Sequence, residues 1–135
     1  AGDIANRVIF LGTLERKDLY PIIEHAFACL MPSRIDNMPN TCIEAMAMGK
    51  IVIGTRGASY EQLIEDGVSG YLMKIDQPQE LVESIRKINE MSEQEILQMV
   101  ENAKKVTERF APEEIYKKVM IFYESIIHKK TGREV

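Results

Sequence analysis

The chain has 135 residues, of which 45% are hydrophobic and 28% are charged, and this composition is typical of one soluble globular domain with a single hydrophobic core. Its net charge of −4 disfavours a nucleic-acid-binding module, because such modules present a basic face to the phosphate backbone. No apolar run approaches the roughly 20 residues that a membrane-spanning helix requires.

The first part of the chain predicts a strand, a helix and a second strand. The run "RVIFLG" (Arg7–Gly12) is β-branched and aromatic and is closed by glycine, which indicates a buried strand. Apolar residues at helical spacing indicate a helix over Arg16–Phe27, in which Pro21 comes early enough to be tolerated. The run "ACLMPS" (Ala28–Ser33) indicates a second strand, which Pro32 ends.

The middle of the chain continues this alternation. A small apolar helix is predicted over Asn40–Met48, and Gly49 is the residue type that favours a left-handed turn at a helix end. We predict a third strand at "IVIG" (Ile51–Gly54), a short helix at Ser59–Glu65 and a fourth strand at Tyr71–Met73. Strands that alternate with helices predict an α/β fold with a doubly wound, Rossmann-like parallel sheet and helices on both faces.

From Asp76 onward the sequence pattern is helical only. Asp76 is expected to cap the first of these helices, and Ser92 with Glu95 forms an S-x-x-E capping box for the second. Pro112 opens a third helix, and the wide apolar stripe of that helix needs a surface to cover it. A helical C-terminal tail is therefore part of the predicted fold.

The predicted elements also define the domain organisation. The chain begins without methionine and enters an apolar strand almost directly, as a piece of a larger protein would. We expect one partial domain over residues 1–135, with strand–helix units and site loops at 7–75 and C-terminal helices at 76–130.

The cysteines and histidines show no metal-ligand spacing. Cys29 and Cys42 lie in apolar contexts and form no disulfide framework, which indicates buried thiols in a reducing compartment. His25 and His128 are far apart and match no ligand pattern.

The stretch "DNMPNTCIEAMAMGK" places two acids, Asp36 and Glu44, around the start of the predicted small helix. Open parallel sheets bind ligands at the carboxyl ends of their strands, and the loop before this helix lies at such an end. The helix N-terminus has unpaired N–H groups and about half a positive charge, which favour phosphate. Glu44 lies about one turn inside the helix, and its side chain tilts back toward the end that Asp36 flanks.

Carboxylates repel phosphate but accept hydrogen bonds from hydroxyls, and a vicinal diol can donate both of its hydrogens to one carboxylate. The loop therefore suits a ligand with phosphate in the middle and a polyol at each end, which describes a nucleotide sugar. Each acid also has an ordinary structural interpretation. Glu44 is then a solvated acid that stabilises the first turns of a helix, and Asp36 is a turn former or N-cap.

The pattern P-S-x-x-D/E-x7-E-A-M-A-x-G from Pro32, followed by "RGASYEQLIEDGVSGYL" from Arg56, resembles the carboxyl-terminal half of family 4 glycosyltransferases of the GT-B fold. The resemblance extends from "VIFLG" to "ERFAPEEIYKKVMIFYESI" and covers almost the whole chain. It implies a retaining, hexosyl-type transfer from a nucleotide-sugar donor to a glycan or lipid-linked acceptor in polysaccharide biosynthesis. It also implies that no metal or other cofactor is needed, and that the protein is cytoplasmic, either free or at the inner face of the membrane.

The resemblance assigns roles to individual residues. Glu44 matches the acid that holds the ribose diol of the donor, and Asp36 matches the acid that contacts the transferred sugar, which makes it the catalytic candidate. Glu61 is either a donor contact or a capping acid. The loop that approaches the diphosphate corresponds to Asn37, Met38, Asn40 and Thr41, and the edge that meets the base corresponds to Gly12, Thr13 and Leu14.

The chain departs from the family pattern in ways that affect catalysis. Asp36 is one methylene shorter than the usual Glu, Pro39 removes one loop amide, and "GASYE" stands where G-G-x-P-E is common. The family's basic Arg/Lys pair and its acceptor-binding N-terminal domain belong to segments before the part that this chain resembles. Because fixed cations at the leaving group are often a large catalytic term, we expect the isolated fragment to be inactive.

Other interpretations remain open at this point. The chain is alternatively a non-catalytic module that binds nucleotides or nucleotide sugars. A signalling receiver is disfavoured, because no clustered Asp residues follow the first strand. Arg34 and Arg56 either contact phosphate or form surface ion pairs.

The expected strand order has a further consequence for the isolated chain. In the order 3-2-1-4-5-6 the central two strands are not among those predicted here, so the strand at Val8–Leu11 would lose its neighbours. Unpaired strand edges favour association with another copy. We therefore expect dimerisation, domain swapping or poor solubility of the isolated fragment.

Overall fold

The computed structural model describes residues 4–131, without the side chains of residues 5 and 129–131. Within this range three parallel strands form one sheet in the order β1-β2-β3. The strands are β1 (Cys29–Met31), β2 (Val52–Thr55) and β3 (Tyr71–Met73), and the helices are α1 (Arg16–His25), α2 (Asn40–Ala47), α3 (Pro78–Glu90), α4 (Glu93–Glu108) and α5 (Pro112–Thr131), with 3₁₀ turns at Ala5–Arg7 and Tyr60–Gln62. The ends of the predicted domain, residues 1–3 and 132–135, lie outside the described residues.

Helices cover both faces of the sheet, which confirms the predicted fold class. Successive strand residues point to opposite faces, so Val52 and Ile53 of β2 contribute to two different core clusters. The cluster on one face includes buried residues of α1 and α2, namely Ile23, Cys42, Ala45 and Met46. The cluster on the other face includes buried residues of α3 and α4, namely Ile88 and Met99.

The three strands end together, and this alignment fixes where the loops begin. Met31 of β1 is paired with Gly54 of β2, and Thr55 of β2 is paired with Met73 of β3. The Thr55 hydroxyl donates a hydrogen bond to the Met31 carbonyl at 3.3 Å, which ties the ends of β1 and β2. The loops after all three strands therefore leave from one edge of the sheet.

The prediction of a buried strand at Arg7–Gly12 is wrong. Its apolar core, Val8–Leu11, has no regular secondary structure, and Ile9 and Phe10 are 78% and 93% exposed. A strand forms only where a neighbour supplies hydrogen bonds and a surface to bury its side chains. None of the three described strands lies beside this segment. This agrees with the expected strand order 3-2-1-4-5-6, in which the segment would lose its neighbours.

Several predicted helix boundaries also change. The helix predicted over Arg16–Phe27 ends at His25, because the backbone becomes extended at Ala26. The helix predicted at Ser59–Glu65 is only a 3₁₀ turn over Tyr60–Gln62, and it begins after Ser59 because that residue has a left-handed conformation with φ of 65°. Asp76 is not the N-cap of α3: the cap is Gln77, and the Asp76 carboxylate instead pairs with the guanidinium of Arg34 at 2.8 Å.

Other local predictions are confirmed. Ser92 and Glu95 form the capping box of α4: the Ser92 N–H donates to Glu95 Oε2 at 2.7 Å, and the Glu95 N–H donates to Ser92 Oγ at 3.3 Å. The hydroxyl and the N–H of Ser92, which both donate to this carboxylate, lower the pKa of Glu95. Of the two thiols predicted to be buried, Cys42 is buried and Cys29 is only half-buried, and both are free. Burial raises the pKa of Cys42 to about 12, with smaller contributions from Cys29 and Asp36.

The apolar stripe of α5 remains exposed in the described part of the chain. Phe122 and Tyr123, for example, are 62% and 58% exposed. None of the helices described here is long and apolar enough to cross a bilayer.

The end of α2 is fixed by a glycine turn. The Lys50 N–H donates to the Ala45 carbonyl at 2.9 Å and the Gly49 N–H donates to the Met46 carbonyl at 3.0 Å, which is the Schellman pattern. Gly49 has a φ of +75°, a conformation that favours glycine. This turn sets the position of α2, the helix that carries Glu44.

Replacing Gly49 with alanine is expected to lower the free energy of unfolding by about 1–2 kcal/mol, because an L side chain is strained in this backbone conformation. The matched control is Gly67→Ala, since Gly67 has nearly the same φ of +76°. A Cβ at Gly49 would lie 3.3 Å from Val100 Cγ1 of α4, whereas a Cβ at Gly67 would have nothing within 4 Å. Urea denaturation followed by circular dichroism should show the larger loss for Gly49→Ala, and equal losses would contradict tight packing of this turn on α4.

Candidate functional site

The candidate site is built on the N-terminus of α2. Cys42, Ala45 and Met46 are fully buried, so this face of the helix lies close against the sheet. The chain enters α2 from the loop that follows β1, and Pro39 occupies the N-cap position without a side-chain cap. Within residues 4–131 the N–H groups of Asn40 and Thr41 have no acceptor. The predicted positive end of the helix is therefore available to a ligand.

Asp36 lies in the loop just before this helix end and is half-buried. Its Oδ1 accepts a hydrogen bond from the Met38 N–H at 3.3 Å, which holds the loop in a turn. Burial raises the pKa of Tyr60, and the negative charge of Asp36 raises it further. Asn37 and Met38 are exposed in the same loop.

Glu44 is held by α1. Its Oε1 accepts a hydrogen bond from the Tyr20 hydroxyl at 3.2 Å and pairs with the Arg16 guanidinium at 3.1 Å. Its Oε2 has no hydrogen-bond partner among the described residues. Sequence reasoning missed these contacts. The available signal was that Arg16 and Tyr20 are four residues apart and so share one face of a helix.

The loop at residues 12–14, which resembles the family's base-contacting edge, leads directly into α1, the helix that holds Glu44. Gly12 and Thr13 are exposed, Leu14 is half-buried, and α1 begins two residues later at Arg16. The first turn of α1 thus connects this loop to the Glu44 carboxylate.

The remaining candidates are occupied by local contacts. The Glu61 carboxylate accepts a hydrogen bond from the Gly57 N–H and so stabilises its own turn. Of the two alternatives for Arg34 and Arg56, the structure has the ion pairs: Arg34 pairs with Asp76 at 2.8 Å, and Arg56 pairs with Asp66 at 2.6 Å. The structure thus brings together the start of α2, Asp36, Glu44 and the loop before α1.

A separate cavity of about 330 Å³ opens at the same edge of the sheet, next to α3. The Arg34–Asp76 pair lies at this cavity, whereas Asp36 and Glu44 do not line it. Sequence patterns did not indicate it, because its walls come from two separate loops, from the ends of β2 and β3, and from α3. The lining includes Pro32, Arg34, Thr55, Lys74, Asp76 and Leu81.

Known proteins resemble this chain in sequence and in fold. The sequence profile of the family described as group 1 glycosyl transferases matches residues 2–106. A protein of Methanocaldococcus jannaschii described as an uncharacterized glycosyltransferase is 26% identical over 127 residues, which are 91% of this chain and 36% of that protein.

Solved structures give the same fold. HepE of Anabaena, crystallised with UDP and glucose, matches 89% of this chain and 32% of its own with a TM-score of 0.78 and 26% identity. Sucrose-phosphate synthase of Thermosynechococcus elongatus matches 93% of this chain and 32% of its own with a TM-score of 0.80, and at 21% identity it supports the fold alone.

The chain spans about a third of the length of these relatives. The family match covers well over half of the chain, and the three-stranded parallel sheet with helices on both faces agrees with it. The chain belongs to the group 1 glycosyltransferases, and its fold is that of the carboxyl-terminal domain of the GT-B type.

Proposed function

We propose that this chain forms the donor-binding part of a family 4 retaining glycosyltransferase and binds a nucleotide sugar at the N-terminus of α2. The observation that carries the proposal is the uncapped start of α2, with the open N–H groups of Asn40 and Thr41, flanked by Asp36 and Glu44. The comparison with HepE supports it, because that relative was crystallised with UDP, with UDP and glucose, and with UDP-glucose.

Each part of the donor has a chemically matched contact in this proposal. The diphosphate lies at the positive end of α2, where N–H donors favour negative charge. The ribose hydroxyls donate to Glu44, and hydroxyls of the transferred sugar donate to Asp36. The base lies against the loop at residues 12–14. Glu61 reaches the donor only by giving up its contact with Gly57.

Transfer itself needs more positive charge than this site supplies. When the bond between the anomeric carbon and the diphosphate oxygen breaks, negative charge develops on the diphosphate, and the helix end offers only about half a charge. Arg34 and Arg56 form ion pairs with Asp76 and Asp66 rather than with residues at the start of α2. We therefore propose that cations from other units of the same domain and an acceptor site from a further domain complete the enzyme without a resident metal. The isolated chain is then expected to bind donor but not to transfer sugar.

The acceptor is proposed from the family resemblance only. Family 4 glycosyltransferases suggest a hexosyl transfer to a glycan or a lipid-linked acceptor. This transfer would take place in the cytoplasm, in solution or at the inner face of the membrane. The second candidate function is a binding module without catalysis. The ion pairs of Arg34 with Asp76 and of Arg56 with Asp66 favour a binding module for the isolated chain. Sugar transfer by a protein that contains the further domain would exclude this second candidate.

Calorimetry with UDP, GDP and ADP tests the ribose contact. We expect one of these nucleotides to bind, and Glu44→Gln to weaken binding by roughly ten- to a hundredfold, because hydrogen bonds to a charged group are lost. Glu101→Gln, at an exposed glutamate of α4, is the matched control and should bind as the unmodified chain does. Equal affinity of the Glu44→Gln variant would defeat the ribose assignment.

A second titration separates the sugar contact from the nucleotide contact. Asp36→Asn is expected to weaken binding of the nucleotide sugar while the matching nucleoside diphosphate binds unchanged, because only the former carries the hydroxyls that reach Asp36. A loss that is the same for both ligands would show that Asp36 only shapes its loop.

The proposal that the isolated chain dimerises rests on its exposed apolar segment Val8–Leu11. Sedimentation velocity over a range of concentrations should show a growing dimer fraction. Phe10→Lys should reduce that fraction, because it places a charge on the most exposed of these side chains. A monodisperse monomer at all concentrations would be incompatible with this proposal.

A further inference from the structure

We propose that Tyr20 and Arg16 are positioning residues that fix the Glu44 carboxylate, so that its Oε2 alone receives both ribose hydroxyls and selects ribose over 2′-deoxyribose. This inference rests on the proposed donor site and adds the residues that determine its sugar selectivity.

The two contacts from α1 converge on one oxygen of Glu44. The Tyr20 hydroxyl donates to Oε1 at 3.2 Å, and the Arg16 guanidinium lies 3.1 Å from the same atom. A carboxylate oxygen offers about two lone-pair sites. The Tyr20 hydrogen bond and the Arg16 ion pair both engage Oε1, whereas both sites of Oε2 are open within the described part of the chain.

An oxygen with two open acceptor sites matches a vicinal diol. The 2′ and 3′ hydroxyls of a ribose are neighbours, and each has one hydrogen to donate. If both hydrogens go to Oε2, removal of the 2′ hydroxyl leaves one acceptor site of the carboxylate without its ligand donor, which weakens binding. A carboxylate free to rotate would compensate with its other oxygen, and the contacts on Oε1 prevent this.

The two positioning residues differ in how firmly they are held. Tyr20 is half-buried and packs against the core cluster that contains Ile23, so packing holds its side chain in place on α1. The Arg16 side chain is 76% exposed, and exposed ion pairs hold their partners weakly. Tyr20 should therefore contribute more to selectivity than Arg16.

The experiment compares the affinities of UDP, GDP and ADP with those of their 2′-deoxy counterparts by calorimetry. For the nucleotide that binds, the unmodified chain should prefer the ribose form. Tyr20→Phe should reduce this preference by about fivefold, the equivalent of one ordinary hydrogen bond. Arg16→Met should reduce it less, and Arg16→Lys should retain most of it, because the positive charge remains.

Matched controls separate positioning from a general structural effect. Tyr116→Phe removes a hydroxyl from an exposed tyrosine of α5, and Lys17→Met removes an exposed cation from α1 that pairs with Glu15. Both should keep the full preference for ribose. A merely structural role of Tyr20 would weaken the ribose and deoxyribose forms equally and leave their ratio unchanged.

The outcomes distinguish this inference from the proposed function. The positioning role would be overturned if Tyr20→Phe and Arg16→Met kept the full preference for ribose over 2′-deoxyribose while Glu44→Gln lost it. The donor site would remain intact in that case. No preference for ribose in the unmodified chain, or no binding of any of the three nucleotides, would overturn the ribose site and the positioning role together.

Discussion

The site depends on the close contact between α2 and the sheet. This contact exists because the inner face of the helix carries Cys42, Ala45 and Met46, all fully buried. A close approach fixes the helix at the carboxyl end of β1, and Gly49 ends it with a Schellman turn. The Ala- and Met-rich composition of this stretch is thus a packing requirement. Its consequence is a helix N-terminus presented, uncapped, at the edge where ligands of parallel sheets bind.

The two acids beside that helix end are restrained by different parts of the molecule. Asp36 is held by its own loop through the Met38 N–H, whereas Glu44 is held from α1 by Tyr20 and Arg16. A loop acid can adjust to different sugars, while an acid fixed by a neighbouring helix favours one constant group. This division agrees with the proposed donor, whose ribose would contact Glu44 and whose transferred sugar would contact Asp36. In this proposal α1 contributes to the site through Tyr20 and Arg16 as well as to the core through Ile23.

Local patterns predicted much of the fold. The strands β1, β2 and β3, the Ser92–Glu95 capping box and the glycine turn after α2 are set by short-range preferences that the packing also satisfies. The strand prediction for Val8–Leu11 was wrong because strand formation depends on a neighbouring strand, and the residues of the segment do not specify one. The Tyr20–Glu44 bond joins residues 24 positions apart, and the Arg34–Asp76 pair joins residues 42 apart. Such contacts follow from the arrangement of helices and loops in space, so periodicity could not predict them.

The most direct test of the central claim is an amide NMR titration of the chain with UDP-glucose. If the donor occupies the N-terminus of α2, the largest shift changes should occur at the amides of Asn40 and Thr41, which have no acceptor among the described residues. Smaller changes should follow in the loop at residues 12–14. The largest changes at Arg34, Lys74 and Asp76, around the cavity beside α3, would contradict the assignment of the donor to α2.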